Sequence, residues 1–105
     1  MQDSAPANVA EIVTFSLSEG QDETAFVLAA RALETYLRDT GAMVARTLSR
    51  DAEGRWTDHI LWTSREAAEA AARDMPRRPE AADFLAAIAG DSVEIRHAEV
   101  ILQMD

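Results

Sequence analysis

The feature that most constrains this chain is a set of four stretches in which side chains alternate between two faces. These stretches are 9–18, 42–49, 55–63 and 92–103. A period of two is typical of β-strands, because successive strand side chains point to opposite faces of a sheet. Segments with helical spacing separate the first two stretches and the last two. The sequence therefore predicts the order β-α-β-β-α-β.

The helical segments carry recognisable start signals. Asp22 is predicted to cap the first helix, whose apolar stripe continues to about Asp39. The second helix begins after a cap at Thr63 or Ser64 and is rich in alanine as far as Met75. A proline-rich break follows, because proline disfavours helical geometry in the residue before it. A further helical segment then precedes the last strand.

This order predicts a ferredoxin-like α+β fold, in which a four-stranded antiparallel sheet carries both helices on one face. Large apolar side chains fall on both predicted faces, however. The set assigned to the face without helices is Ile12, Val44, Leu48, Leu61, Val100 and Leu102. Monomeric soluble proteins rarely expose so large an apolar patch. We therefore expect a homodimer in which two sheets pack face to face and form an α+β barrel.

Length and composition limit the organisation and the partners. Residues 1–8 are predicted to form a flexible arm, and residues 9–105 to form a single domain. The polar start does not resemble a signal peptide, and no apolar run is long enough to cross a bilayer, so a cytoplasmic protein is expected. A net charge of -9 argues against nucleic-acid and membrane partners, which attract positively charged surfaces.

Several kinds of chemistry are excluded by the residue types present. The chain has no cysteine, so it has no disulfide and no thiolate nucleophile or metal ligand. Its two histidines, His59 and His97, do not have the spacing of zinc ligands. Glycine-rich phosphate loops and the Gly-x-Ser-x-Gly motif are also missing from the sequence. No metal site is predicted.

Three motifs resemble a known superfamily. Residues 9–20, VAEIVTFSLSEG, resemble the first strand and turn of the dimeric α+β barrel superfamily, and residues 60–68, ILWTSREAA, resemble its Trp-x-Ser motif. Residues 92–100, SVEIRHAEV, are similar to the closing strand of uncharacterised members related to antibiotic-biosynthesis monooxygenases. The resemblance covers about 9–103. It implies a pocket between helices and sheet and, in some members, oxidation of a polycyclic substrate without a metal or organic cofactor.

A haem-degrading branch of the superfamily provides a contrast. Its site uses an asparagine on the first strand, the tryptophan of Trp-x-Ser and a histidine on the second helix. Trp62 matches the tryptophan, but Val13 occupies the place of the asparagine, and residues 64–90 contain no histidine. Since two of the three residues are missing, haem degradation is not expected.

The candidate site residues follow from the resemblance and the strand pattern. His97 and Glu11 are predicted as catalytic residues, because a carboxylate beside a histidine orients the imidazole ring and favours its charged form. The substrate-binding candidates are Trp62, Val13, Phe26 and Asp58. The competing interpretation is structural: Trp62 as a core residue, His97 as a half-buried hydrogen-bonding residue, and Glu11 at a solvated strand end.

Two functions remain open at this point. The first is a monooxygenase-like enzyme acting on a small planar organic molecule, and the second is a non-catalytic small-molecule-binding or accessory dimer. Catalysis is favoured if His97 and a carboxylate meet at the pocket, whereas a pocket of Trp62 and aliphatic side chains favours binding alone. His59 is expected on the dimer-facing side, where Arg46 and Arg96 are expected to form ion pairs across the interface.

Overall fold

The computed structural model describes residues 7–104, so most of the predicted N-terminal arm lies outside the described residues. Short 3₁₀ turns are formed by Met75–Arg77, Pro79–Ala81 and Gly90–Ser92. Within residues 7–104, no helix is both long and apolar enough to cross a membrane. The main elements, in chain order, are β1 (Val9–Phe15), α1 (Glu23–Ala32), α2 (Glu34–Asp39), β2 (Met43–Arg50), β3 (Trp56–Trp62), α3 (Arg65–Asp74), α4 (Ala82–Ala87) and β4 (Glu94–Glu99).

The four strands form one antiparallel sheet in the order β2-β3-β1-β4. The two strands at the chain ends, β1 and β4, are therefore neighbours, and β1 lies between β3 and β4. This arrangement confirms the predicted ferredoxin-like α+β fold. The register places Glu11 beside His97 and Val13 beside Asp58, so the predicted site residues share neighbouring positions on the sheet.

The helix caps lie where the sequence predicts them, and of the two candidates Thr63 and Ser64 it is Ser64 that caps α3. Asp22 caps α1 by accepting a hydrogen bond from the Ala25 N–H at 3.3 Å, and Ser64 caps α3 by accepting one from the Ala67 N–H at 3.1 Å. The first predicted helix is divided at Leu33, whose N–H bonds to the Ala30 carbonyl three residues earlier. A bond of this 3₁₀ type tightens the turn and buries the Leu33 side chain in the core.

The core lies between the sheet and the helices. An aromatic cluster fills one end of it, where Phe26 contacts Phe15, Trp56 and Phe84 at ring-centroid distances of 5.7, 5.0 and 5.1 Å. Contacts of this kind add roughly 0.5–1.5 kcal/mol per pair beyond simple burial. Alanines on α3 allow that helix to lie close to the sheet, since Ala68 is fully buried.

The prediction of which side of the sheet the β2 side chains occupy was wrong. Arg46 lies opposite Ile60 and Leu48 lies opposite Asp58, so both side chains are on the helix side of the sheet rather than on the face without helices. Val44 falls at an irregularity of the β2–β3 register and is exposed. Alternation alone groups residues by face but does not say which face meets the helices.

The face of the sheet without helices, here called the open face, is consequently less apolar than expected. Its apolar side chains include Ala10, Ile12 and Leu61, and His59 lies on the same face beside Ile12. The last strand ends at Glu99, earlier than the predicted 103. From Val100 to Met104 the chain has no regular secondary structure, and Ile101, Leu102 and Met104 are 85%, 80% and 84% exposed.

Candidate functional site

A cavity of about 300 Å³ lies between the sheet and the helices. This volume is at the small end of the range of roughly 300–1,000 Å³ that is typical of ligand pockets. Its wall is mainly apolar. The polar or ionisable side chains that line it are Glu11, Tyr36, Arg46, Asp58 and Trp62.

Glu11 is the carboxylate at the centre of the sheet. It is only 6% exposed, so it does not lie at a solvated strand end as the structural interpretation proposed. Its Oε1 accepts a hydrogen bond from the Trp62 indole N–H at 3.2 Å, and its Oε2 lies 3.2 Å from His97 Nε2. Buried carboxylates need partners of this kind, because an unpaired buried charge is strongly unfavourable.

His97 meets Glu11 because the two residues are paired across β1 and β4. The His97 side chain is 16% exposed, compared with 8% for Glu11. His97 does not line the cavity itself but contacts the carboxylate that does. The pair therefore connects the cavity wall to the more exposed edge strand, in an arrangement suited to moving a proton. Glu99, an acid at the end of β4, is exposed.

Trp62 is both a core residue and part of the cavity wall. Its side chain is fully buried and belongs to the core, and it also lines the cavity. Its N–H is satisfied by Glu11, which fixes the orientation of the ring and of the carboxylate together. A fixed aromatic wall beside a carboxylate is suited to holding a planar molecule.

Asp58 lines the cavity and is held by Arg46. The Arg46 Nε and Nη2 atoms donate to the two Asp58 carboxylate oxygens at 2.9 and 2.7 Å, and Arg46 Nη1 donates to the Ala30 carbonyl at 2.8 Å. The prediction that Arg46 forms an ion pair across a dimer interface is therefore wrong: this arginine faces the helices. Arg96, by contrast, is exposed and lies beside Ile12 of the open face.

The remaining candidates lie at different depths. Val13 lines the cavity between Asp58 of β3 and Ile95 of β4. Phe26 is buried but does not line the cavity, because it belongs to the aromatic cluster beside it.

Sequence reasoning missed Tyr36, which also lines the cavity. Its hydroxyl donates to the Ala71 carbonyl at 3.0 Å, which links α2 to α3. Burial raises the pKa of Tyr36 above its ordinary value of 10.0, and the nearby Asp74 adds to this rise. The ring therefore stays neutral at physiological pH. Helical spacing could have indicated it, since Tyr36 follows Leu33 by three residues.

Comparison with known proteins gives a result at the level of structure. No protein-family model and no curated protein matches the sequence. A variant of SnoaB, a cofactor-independent oxygenase from Streptomyces nogalater, shares 17% identity with a TM-score of 0.72, over 93% of this chain and 97% of its own. A Bordetella bronchiseptica protein, provisionally described as an antibiotic biosynthesis monooxygenase, shares 16% identity with a TM-score of 0.75, over 91% of this chain and 99% of its own.

At such identities the similarity concerns the fold, and it extends over nearly the whole of each chain. The resemblance found in the sequence is therefore confirmed for the architecture: the chain has the ferredoxin-like α+β fold of antibiotic-biosynthesis-monooxygenase-like proteins.

Among residues 7–104, no group of three or more histidine and acidic side chains is arranged to hold a metal ion.

Proposed function

We propose that this protein is a cofactor-independent oxygenase that acts on a small planar organic molecule. The observation that carries the proposal is the hydrogen-bonded chain that starts with Trp62 and Glu11 in the cavity wall and ends at His97, which lies outside that wall. The sequence analysis expected catalysis to be favoured if His97 and a carboxylate meet at the pocket. Glu11 lines the cavity and lies 3.2 Å from His97, which does not line it, and this contact supports the proposal. SnoaB, a cofactor-independent oxygenase with this fold, supports the proposal by analogy.

Glu11 is the base in this proposal. A planar substrate lying against Trp62 would bring an acidic C–H group to the carboxylate, and the proton passes to Glu11. The carbanion that remains is the reductant of O₂. For a CH₂ group, one oxygen atom becomes a carbonyl oxygen and the other leaves in water, so the electrons balance without an external reductant. His97 then takes the proton from Glu11 towards the edge of the sheet.

Oxygen uptake tests the proposal directly. Anthrone, a planar ketone with an acidic CH₂ group, is a suitable probe, because its oxidation by one O₂ gives a quinone with a distinct absorbance. We expect Glu11→Gln to lower kcat by about 10²- to 10⁴-fold. The matched control is Glu99→Gln, an exposed acid of β4, which should leave turnover unchanged. Equal rates for wild type and Glu11→Gln would disprove the role of the carboxylate.

Histidine offers a second matched pair. His97→Gln should slow turnover, whereas His59→Gln, which changes the other histidine of the chain on the open face, should not. The alternative function is a non-catalytic binding or accessory dimer, which the mainly apolar cavity wall favours. Saturable binding of anthrone with no oxygen uptake above the uncatalysed rate would support that alternative.

The same proposal includes a cytoplasmic homodimer. A second copy packing on the open face would cover Ile12 and Leu61, and the exposed end of the chain from Ile101 to Met104 supplies further apolar surface. Light scattering after size exclusion should give twice the chain mass of 11.5 kDa. A stable monomer at micromolar concentration would remove the dimer from the proposal. Cell fractionation tests the location.

A further inference from the structure

We infer that Ile95 is a specificity-determining residue at the mouth of the cavity, where its side chain limits the width of the molecules that enter. The mouth is the part of the cavity whose lining residues are exposed: Ala72, Gly90, Val93 and Ile95. Ile95 belongs to β4 and lies opposite Val13 of β1, which also lines the cavity, so both side chains are on the helix side of the sheet. The inference builds on the proposed function, because it concerns access to the same site.

Exposure along one face of β4 locates the opening. Ile95 is 55% exposed and Val93 is 37% exposed, although both line the cavity. His97 is the next residue on the same face of the strand, and its side chain is only 16% exposed. A side chain that lines a cavity and also contacts solvent lies where the cavity opens. The opening is therefore at the start of β4 rather than beside His97.

The end of α3 forms the opposite side of the mouth. This helix lies over β1 and β3, whereas β4 is an edge strand of the sheet. Ala72 of α3 is exposed, and Met75, which follows the helix, is half-buried; both line the cavity. An alanine side chain occupies little space, and a methionine side chain adapts its shape to its neighbours. The side of the mouth with the bulky, branched residues is therefore the β4 side.

Gly90 provides separate evidence of open space at the mouth. It is exposed and also lines the cavity. In the part of the chain that the structure describes, a Cβ atom added at Gly90 would lie more than 4 Å from every residue except its chain neighbours. Its φ angle is outside the left-handed region, so other residues can adopt the same backbone conformation. A larger side chain can therefore be added here without displacing the core.

The turn that precedes β4 is anchored by hydrogen bonds. Ser92 Oγ accepts a hydrogen bond from the Ser16 N–H at 2.9 Å and donates one to the Ala89 carbonyl at 2.6 Å. The Ala89 N–H in turn donates to the Ser16 carbonyl at 2.9 Å. These bonds tie the turn to the residue that follows β1. The width of the mouth is therefore set by the side chains on β4 rather than by movement of this turn.

A residue at a mouth has a kinetic signature that a residue deep in the wall lacks. A ligand passes the same opening when it enters and when it leaves. Narrowing the opening therefore slows association and dissociation by the same factor and leaves the affinity unchanged. Loss of a binding contact, by contrast, changes mainly the dissociation rate and with it the affinity. Measurement of both rates separates the two roles of Ile95.

Two isomeric probes, 2-anthracenemethanol and 9-anthracenemethanol, measure the width of the mouth. They have the same composition and no charge, but the 9-isomer carries its side group on the long edge of the ring system and is wider. Both absorb where tryptophan emits, so stopped-flow quenching of Trp62 in the cavity wall follows binding. Ile95→Ala widens the mouth, and Gly90→Leu narrows it. Leu28→Ala is the matched control, because Leu28 is 64% exposed and does not line this cavity.

We expect the 9-isomer to associate with wild type about tenfold more slowly than the 2-isomer. Ile95→Ala should raise both the association and the dissociation rate of the 9-isomer about tenfold and leave its dissociation constant within about threefold. Gly90→Leu should slow both rates for both isomers about tenfold, and Leu28→Ala should behave as wild type. Both test positions are exposed, so the substitutions should leave the fold intact.

Three results would overturn the inference: equal association rates of the two isomers with wild type, an effect of Ile95→Ala on dissociation alone, or no saturable quenching by either isomer. The measurements are made in oxygen-free buffer, so they involve no turnover. If Ile95→Ala changes both rates but no oxygen is consumed with anthrone, the oxygenase proposal fails and the role of Ile95 stands. If oxygen uptake depends on Glu11 but both isomers enter wild type equally fast, the reverse holds.

Discussion

Two carboxylates line the same cavity and differ in their partners. Asp58 is bound on both oxygens by the permanently charged Arg46, whereas Glu11 is bound by the neutral indole N–H of Trp62 and by His97. Both are almost fully buried. A guanidinium group donates hydrogen bonds but exchanges no proton at working pH values, whereas imidazole groups in general exchange protons near neutral pH. Burial therefore does not distinguish the two acids, whereas their partners do, and the partners are the reason that we propose Glu11 as the base.

The largest expected effect comes from breaking the Asp58 pair. Arg46→Met leaves Asp58 with no cation in a buried site, and we expect the free energy of unfolding to fall by about 3–5 kcal/mol. Urea denaturation followed by circular dichroism measures it. The double variant with Asp58→Leu should recover most of the loss, because a buried ion pair is often replaceable by apolar residues. A small loss in the single variant would mean that Asp58 is solvated or protonated.

A smaller effect is expected at the other carboxylate. Glu11→Leu leaves the buried Trp62 N–H without an acceptor, which should cost about 1–3 kcal/mol in unfolding free energy. Glu11→Gln keeps an acceptor oxygen and should cost less than Glu11→Leu in the same denaturation experiment. If the two variants were equally stable, the hydrogen bond from Trp62 would contribute nothing measurable.

Tyr36 lines the same cavity as the two carboxylates but is a neutral group. Because burial raises its pKa above 10.0, the folded state favours the protonated ring. Its contribution to stability is complete below pH 10 and is lost as pH rises through the folded-state pKa. We expect stability to fall more steeply as the pH rises above about 10 in wild type than in Tyr36→Phe, which should itself cost about 1 kcal/mol at neutral pH.

The ultraviolet titration of Tyr36 provides an independent measurement. The chain has a single tyrosine, so the tyrosinate absorbance belongs to one residue. Its midpoint should lie above 10.0 in the folded protein and return towards that value in urea. A midpoint at or below 10.0 in the folded protein would contradict the effect of burial.

The smallest effect is expected at an exposed ion pair whose arginine lies on β2, the strand that also carries Arg46. Arg50 pairs with Glu23 of α1, and its side chain is 47% exposed, compared with 10% for Arg46. Arg50→Met should change the unfolding free energy by less than about 0.5 kcal/mol, because solvent and salt screen exposed charges. The comparison between Arg46 and Arg50 thus separates burial from charge. A loss as large as that of Arg46→Met would show that the exposed pair is part of the core.

Much of the site was available from the sequence once the strand order was known. The first and last strands of a βαββαβ chain are neighbours, so Glu11 and His97 were expected near each other, and they are paired. The placement of Arg46 was not available in this way. Its strand alternates correctly, but the same alternation fits either face, and only contact with the helices distinguishes the two.

The sequence by itself determined the order of elements, the cap at Asp22 and, to within Thr63 or Ser64, the cap of α3, because each depends on local spacing and on short-range hydrogen bonds. The order of elements in turn indicated the architecture. The tertiary structure alone decided that Arg46 binds Asp58 and that Tyr36 enters the cavity. It also decided that Phe26 lies beside the cavity rather than on its wall. These outcomes depend on how the sheet and the helices pack around the cavity. Residues distant in sequence meet there only after the sheet and helices have packed.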